Sequence, residues 1–343
     1  MSLIPTSAAD ISKMRKAAKL LVRSNSTLKH ADALDQIAKV SGYDHWKHVM
    51  DCTNFNPPMA SNVPLNFDQL GFLPDFQEVL LAAIRRGGMC VVSGQAKSGR
   101  TTTLNAILNR DASLKGTGRW LSFEGESLKA SEHENFRRRL FRTAIVGCLF
   151  DNNALGWLPL VRDIVETGHS AFMGVRSNST LDALQSIGRS GVPVDTLRVP
   201  GNLAFMLHQQ LFPRNCPHCS HTTKSAAVAL ELDRRSLGVW DQRWSKLEAT
   251  YGVSRELFRL RHPKGCDYCG GTGSTGYVMA YEFIEPDREF LNAIRNGVPL
   301  PKLRAIWKSW SNSVFDSTDM RGKSLTECAM YKASFGLIDP RHL

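Results

Sequence analysis

Hydrophobic patterning divides the chain into stretches of different period. From Ile11 to Val22, Met14, Ala18 and Leu21 recur at helical spacing, with Lys13, Arg15, Lys16 and Lys19 around them. A second amphipathic stretch carries Leu34, Ile37 and Val40 and meets a stop signal at Gly42. Residues Asn54 to Pro64 are crowded with Pro and Asn and read as a linker. Beyond it come short apolar runs at Met89–Ser93, Arg119–Phe123, Ala144–Phe150 and Ala171–Val175. Helical segments at Thr101–Asn109, Gly156–Thr167 and Thr180–Gly188 lie between and after them, followed by a strand at Thr196–Pro200. Buried apolar runs alternating with helices predict an α/β fold with a mostly parallel sheet. From Gly201 onward the pattern reads as mainly helical, interrupted by a cysteine-bearing insertion.

Composition narrows the class. A chain of 343 residues with 42% hydrophobic positions has enough apolar material for about two domains, which excludes wholesale disorder. No apolar run approaches the ~20 residues that cross a bilayer. The first twenty residues lack the continuous apolar stretch and cleavage site of a secretory leader, so none is expected. Lys and Arg number 43 against 32 Asp and Glu, a net charge of +11, which favours anionic partners without choosing among them.

The first candidate chemistry lies between the run Met89–Ser93 and the helix that follows. Gly94, Gln95, Ala96, Lys97, Ser98, Gly99, Arg100 and Thr101 match the phosphate-loop pattern G-x-x-x-x-G-K-[ST], except that Arg100 stands where lysine is expected. Glycines let backbone N–H groups curl around phosphate oxygens, and a helix N-terminus adds favourable partial charge. Thr101 offers a hydroxyl for Mg²⁺, with Thr102 beside it, and Arg100 must supply the cation. Arginine is a broad planar fork rather than a compact point charge, so binding and hydrolysis of ATP are separate questions. The ordinary alternative is a Gly/Ser-rich turn with no ligand.

The second is the pair of knuckles Cys216-Pro-His-Cys219 and Cys266-Asp-Tyr-Cys269, separated by 46 residues. Four thiolates in two C-x-x-C pairs can close a tetrahedral structural Zn²⁺ site, and Gly270, Gly271 and Gly273 suit the tight turn after the second pair. Neither pair opens a thioredoxin-like βα unit, which weakens a redox reading. Cys52, Cys90, Cys148 and Cys328 are dispersed and read as ordinary thiols.

In the order of these motifs the sequence, from about Phe67 onward, resembles the ATPases of type II secretion, type IV pilus assembly and conjugative pili. Leu121-Ser-Phe-Glu124 resembles the strand ending in the family's acidic box, with Gly125 and Glu126 in place of Asp-Pro. Val146 to Asp151 resembles the Walker B strand, with Asp151 where the catalytic glutamate is expected and Thr167-Gly168-His169 following downstream. Val175-Arg176-Ser-Asn-Ser179 resembles the histidine box, with Arg176 for histidine. Gln209-Gln210-Leu precedes the first knuckle where the family has Gln-Arg-Leu, and Gly276-Tyr277 with Glu282 follow the second.

The resemblance implies a P-loop, RecA-like sheet flanked by helices. The expected organisation is a helical N-terminal module (1–53), a linker (54–66), an ATPase core (67–212), a tetracysteine zinc insertion (213–275) and a C-terminal helical subdomain (276–343). It implies an ATP hydrolase with ATP, Mg²⁺ and structural Zn²⁺ as cofactors, and Glu124 and Asp151 as catalytic carboxylates. It implies a homohexameric ring working on an inner-membrane platform protein, in the cytoplasm or at the inner face of the inner membrane. The lost lysine, histidine and arginines leave a second reading open, a nucleotide-binding subunit with weak or lost catalysis. A zinc-containing DNA-binding protein is a third, motivated by the positive charge, the knuckles and Arg137 to Arg139 with Arg142. That arginine run reads more simply as a solvated helix face or ring interface, so direct nucleic-acid binding is not favoured.

Overall fold

The structure is a computed structural model. It describes residues 8–24, 28–41, 43, 45–53, 67–115, 119–123, 145–150, 157–190, 196–197, 199–223, 225, 234–311 and 318–343. Glu124, Gly125, Glu126, Arg137 to Arg139, Arg142, Asp151 and the linker 54–66 lie outside the described residues. The chain divides into two compact units, one of Asn62–Leu211 with Met279–Cys328, the other of Met1–Ser61, Phe212–Val278 and Ala329–Leu343.

The first unit is built around a six-stranded sheet. Its strands are β1 (Met89–Ser93), β2 (Arg119–Phe123), β3 (Ile145–Phe150), β4 (Ser170–Val175) and the parts of β5 (Leu203–Asn215) up to Leu211 and of β8 (Ser274–Ile284) from Met279, in the order β2-β3-β4-β1-β5-β8. β1 pairs in parallel with β4 on one side and β5 on the other, and β2, β3 and β4 are parallel in turn. Every residue of β1 and β4 is buried, as a central parallel strand covered on both faces requires.

Helices of this unit are α4 (Pro74–Arg86), α5 (Arg100–Lys115), α6 (Leu158–Glu166), α7 (Thr180–Arg189), α9 (Arg288–Arg295) and α10 (Leu300–Ser309). Met89, Val91, Met173, Val175 and Met206 of the sheet pack with Leu160, Ile164, Leu184, Ile187, Phe290 and Trp307 in one core. Phe72, Phe76, Phe205, Tyr281 and Phe283 form a second packed group, with ring centroids 4.6–5.8 Å apart.

The expected strand at Thr196–Pro200 is replaced by a longer one that begins at Leu203, and residues 196 and 197 are helical. The mainly helical reading beyond Gly201 is likewise corrected, because β5 spans 13 residues and β8 spans 11. Both contain continuous apolar runs, Leu203–Leu207 and Val278–Ile284 apart from Glu282, whose lack of alternation does not separate a buried strand from a buried helix.

The second unit holds α1 (Ala8–Ser24), α2 (His30–Val40), α3 (Trp46–Thr53), β6 (His221–Thr222), α8 (Arg234–Tyr251), β7 (Arg259–Leu260) and most of α11 (Leu325–Ser334). Ile11 and Met14 of α1 pack with Ile37, Ala38, Tyr43, Trp46 and Val49. Val40, expected on the apolar face of α2, is 86% exposed, because Ala33 and Ala38 turn inward instead. β6 and β7 pair antiparallel, with His221 opposite Leu260.

Candidate functional site

β1 ends at Ser93 in the centre of the sheet, and the chain turns through Gly94–Gly99 into α5. A ligand loop at the carboxyl end of a central parallel strand is where open α/β sheets bind. Gly94 N–H donates to the Val175 carbonyl of β4 at 3.1 Å, and Ser98 N–H to Gln95 O at 3.2 Å. Gln95 Nε2 donates to Ser177 O at 3.2 Å and to Asn178 Oδ1, which ties the loop to the segment after β4. Arg176 in that segment is exposed.

The glycines of the loop are demanded by close approach. A Cβ on Gly94 would press on Ser98 Oγ and reach within 2.5 Å of the Gln209 carbonyl. At Gly99, with φ of +85°, it would meet Gln209 Nε2 and Leu211 at 3.3 Å. Gln209 Nε2 in turn donates to Ser98 O at 2.7 Å from a side chain that is 1% exposed. Ser98 Oγ and Gln209 Oε1 are both buried without a hydrogen-bond partner. Lys97 holds a left-handed backbone with φ of +64°. Gln95, Ala96, Lys97, Thr101 and Thr102 are exposed, and Gly99 and Arg100 half-buried.

Arg100 Nη1 donates to the Gly94 carbonyl at 2.7 Å, so the guanidinium lies across the loop from the first turn of α5. Gly94 through Thr102 therefore run without a break from the end of β1 into the first turn of α5, whose first amides have no partner within the helix. The carboxylates expected to complete the site, Glu124 and Asp151, lie outside the described residues. His169 sits at the end of α6, where its N–H donates to Ile164 O and Gly168 N–H to Val165 O in a helix-terminating turn. Its Nδ1 lies 3.0 Å from Thr167 Oγ1, a capping role.

Sequence reasoning gave Gln209 only as part of a motif and passed over its neighbour. His208 Nδ1 lies 3.1 Å from Ser93 Oγ, with both side chains buried. Nothing local marks that residue, since its partner is 115 positions away. Glu282 is 4% exposed and accepts from Thr180 N–H at 2.7 Å, Thr180 Oγ1 at 2.9 Å and Leu325 N–H at 3.4 Å.

In the other unit the four knuckle cysteines converge. Their sulfurs all lie within 4.8 Å of one another. Cys216 Sγ is 3.8 Å from Cys266 Sγ, and Cys269 Sγ is 3.9 Å from both Cys219 and Cys266. Cys216 is buried and the other three half-buried. The Cys266 and Gly273 N–H groups donate to Cys269 Sγ at 3.2 and 3.1 Å. Burial would raise the Cys269 thiol, but those backbone donors and neighbouring thiols hold it down at about 6. Burial pushes the Cys216 and Cys219 thiols up. The His218 ring packs 3.9 Å from that of Tyr268, while its backbone hydrogen-bonds the Cys216 sulfur.

The family profile described as "Type II/IV secretion system protein" matches residues 160–326, from α6 to the start of α11. Type IV pilus assembly ATPase TfpB of Acinetobacter baylyi is 25% identical over 261 residues, covering 70% of this chain and 40% of that protein. Type IV pilus assembly ATPase PilB of Thermus thermophilus is 23% identical over 292 residues, covering 81% and 30%. Type II secretion system protein E of Klebsiella pneumoniae is 24% identical over 251 residues, covering 69% and 46%. The chain thus spans less than half the length of each of these relatives. Among solved structures, the pilus retraction motor PilT with bound ADP gives a TM-score of 0.48 at 17% identity, covering 83% of this chain and 70% of that one. The Legionella pneumophila ATPase DotB gives 0.49 at 13% identity, covering 82% and 65%. Residues 160–326, just under half of the chain, thus carry its similarity to the type II/IV secretion system proteins.

Proposed function

We propose that the chain is a nucleotide-binding subunit of a secretion- or pilus-assembly-type machine, with ATP seated on Gly94–Thr102. The observation that carries this reading is the glycine cradle at the end of β1, pressed against Gln209 so closely that no Cβ fits at Gly94. The buried, unpartnered Ser98 Oγ fits a site completed by a phosphate oxygen or its water. In this reading Arg100 is the cation on the phosphates, Lys97 adds charge from the exposed turn, and Thr101 supplies the Mg²⁺ hydroxyl. When bound, Mg²⁺ would neutralise charge on the phosphates. Glu124 and Asp151 are the proposed carboxylates that orient the attacking water. The four thiolates are proposed to hold one structural Zn²⁺. Zinc with sulfurs at about 2.3 Å in a tetrahedron spaces them about 3.8 Å apart, close to the 3.8 Å between Cys216 Sγ and Cys266 Sγ.

Relatives named as pilus assembly ATPases and a type II secretion system protein support the machine class, and a homohexameric ring acting on an inner-membrane platform from the cytoplasmic side is the assembly proposed with it. One observation favours the weaker-catalysis reading. Arg100 already donates to its own loop carbonyl, so phosphate binding must compete with that bond. A lost transition-state donor costs about 3–4 kcal/mol of barrier, about 10²–10³ in rate.

The deciding experiment measures Mg·ATP binding and phosphate release for the wild type and Arg100→Lys. Binding by the wild type with faster release by the lysine variant is expected. Hydrolysis by the wild type that Asp151→Asn abolishes supports the motor reading. Failure of both proteins to bind any nucleotide overturns the site.

A further inference from the structure

β5 runs beside β1 with His208 in register with Ser93, the last residue before the loop. Two consecutive residues of β5 therefore grip the loop at opposite ends. His208 reaches Ser93 Oγ at its entry, and Gln209 holds the Ser98 carbonyl at its exit into α5. The groups that act on the imidazole, one by contact and three by charge, come from four elements. Ser93 lies on β1, Glu282 on β8, Asp182 on α7 and Arg100 on α5. Glu282 is fixed in place by Thr180 and the Leu325 N–H, so its field at the ring is a standing one. Burial holds the imidazole below its ordinary value of 6.5, Glu282 and Asp182 pull it upward, and Arg100 pushes it down further.

A ring so placed is neutral near pH 7, yet opposed carboxylates leave it easy to charge once another anion arrives. A polyphosphate on Gly94–Thr102 is such an anion, and it also draws the charge of Arg100 onto itself. We propose that His208 is a positioning residue of the phosphate loop that gains a proton from solvent as a polyphosphate binds, so that loop occupancy and His208 charge reinforce each other. This rests on reading Gly94–Thr102 as a phosphate site. In the neutral ring with its proton on Nε2, Nδ1 accepts from the Ser93 O–H. Protonation places a second proton on Nδ1, which then donates to Ser93 Oγ, and the Ser93 O–H is released beside Gly94. The sign follows from linkage. Bound negative charge raises the His208 pKa, so nucleotide affinity tightens as pH falls through the bound-state value and levels off below the free-state value.

His208→Asn is the matching variant, because its carboxamide occupies the position of Nδ1, keeps a bond to Ser93 and cannot titrate. ADP affinity of the full chain is measured for both proteins from about pH 8 to about pH 5.5, the range in which histidine titrates. Taking the ratio of the two affinities cancels the titration of ADP itself. The ratio of wild-type to variant affinity should rise as pH falls, about tenfold for each unit by which ADP raises the His208 pKa. Calorimetry in buffers of different ionisation enthalpy should show proton uptake by the wild type beyond that of the variant. Ser93→Ala is the second variant, should His208→Asn not fold, and it should weaken ADP binding several-fold while the pH inflection persists. Equal pH profiles for wild type and His208→Asn, with ADP bound by both, overturn this inference and leave the site reading standing. No ADP binding to any of the proteins at any pH overturns both.

Discussion

Gln209 Nε2 donates to the Ser98 carbonyl across 111 positions of sequence, joining a buried strand to the last turn of the loop before α5. Replacing it with leucine keeps the volume and removes the donor. A buried carbonyl left unsatisfied costs about 1–3 kcal/mol. Gln209→Leu should therefore lose that much stability in urea unfolding and bind nucleotide less tightly. Unchanged stability together with unchanged affinity would remove Gln209 from the account of the loop.

Lys97 is the residue of the loop whose backbone departs furthest from what an L side chain prefers, with φ of +64°. A left-handed conformation costs a non-glycine residue about 1–2 kcal/mol, and glycine gives back about 0.5–1 kcal/mol of that gain in chain entropy. Lys97→Gly should raise stability by up to about 1 kcal/mol, whereas Lys97→Ala, which keeps the Cβ, should not. A gain for alanine equal to that for glycine would point to charge rather than strain.

The thiol cluster predicts a metal measurement. Purified protein should carry zinc near one per chain, and Cys216→Ser combined with Cys219→Ser should abolish it with a large fall in thermal midpoint. A strong chelator should lower the midpoint of the wild type and leave that of the variant alone, since bound metal is folding free energy. Zinc-free protein with the thermal midpoint of the chelator-treated sample and no response to added Zn²⁺ would count against a metal site.

The start of α11 predicts a dependence on acid. Glu327 Oε2 accepts from the Ser324 N–H at 2.6 Å and from Ser324 Oγ at 2.7 Å, and pairs with Lys308 Nζ at 2.5 Å. Burial raises its carboxyl, but Lys308 and Ser324 outweigh burial and hold it below its ordinary value of 4.5. A depressed carboxyl contributes stability that is fully present above the unfolded value and is lost as pH falls through the folded one. Glu327→Gln should therefore be less stable than the wild type by about 1 kcal/mol at pH 7, the usual scale of a capping interaction. The gap should narrow in thermal scans as pH falls below 4.5 and through the depressed folded value. A gap that persists at low pH would assign the effect to packing.

Legibility from sequence followed the range of the interactions involved. The glycine loop and the two C-x-x-C pairs are local patterns, and the structure brings each of them into one place. β1, β3, β4 and α7 match the short apolar runs and the amphipathic stretch that announced them. β5 and β8 did not announce themselves, because strands buried on both faces lose the period of two that marks a half-exposed strand. Ser93, His208, Gln209 and Glu282 draw their roles from partners about a hundred positions away. Only strand order and register put such residues side by side, and neither is written locally.

The segment between the two knuckles is fastened at its base within its own unit. Cys216 and Cys219 on one side meet Cys266 and Cys269 on the other, and just beyond the first pair β6 is already zipped to β7. Asn215 Nδ2 closes the base further, donating to the carbonyls of Arg259 and Gly336 at 2.9 and 3.0 Å. Once such a base is fastened, the length of chain beyond it changes loop-closure entropy only logarithmically. Lengthening the chain between β6 and β7 would cost little in closure entropy so long as the thiols and the Asn215 bonds keep their places.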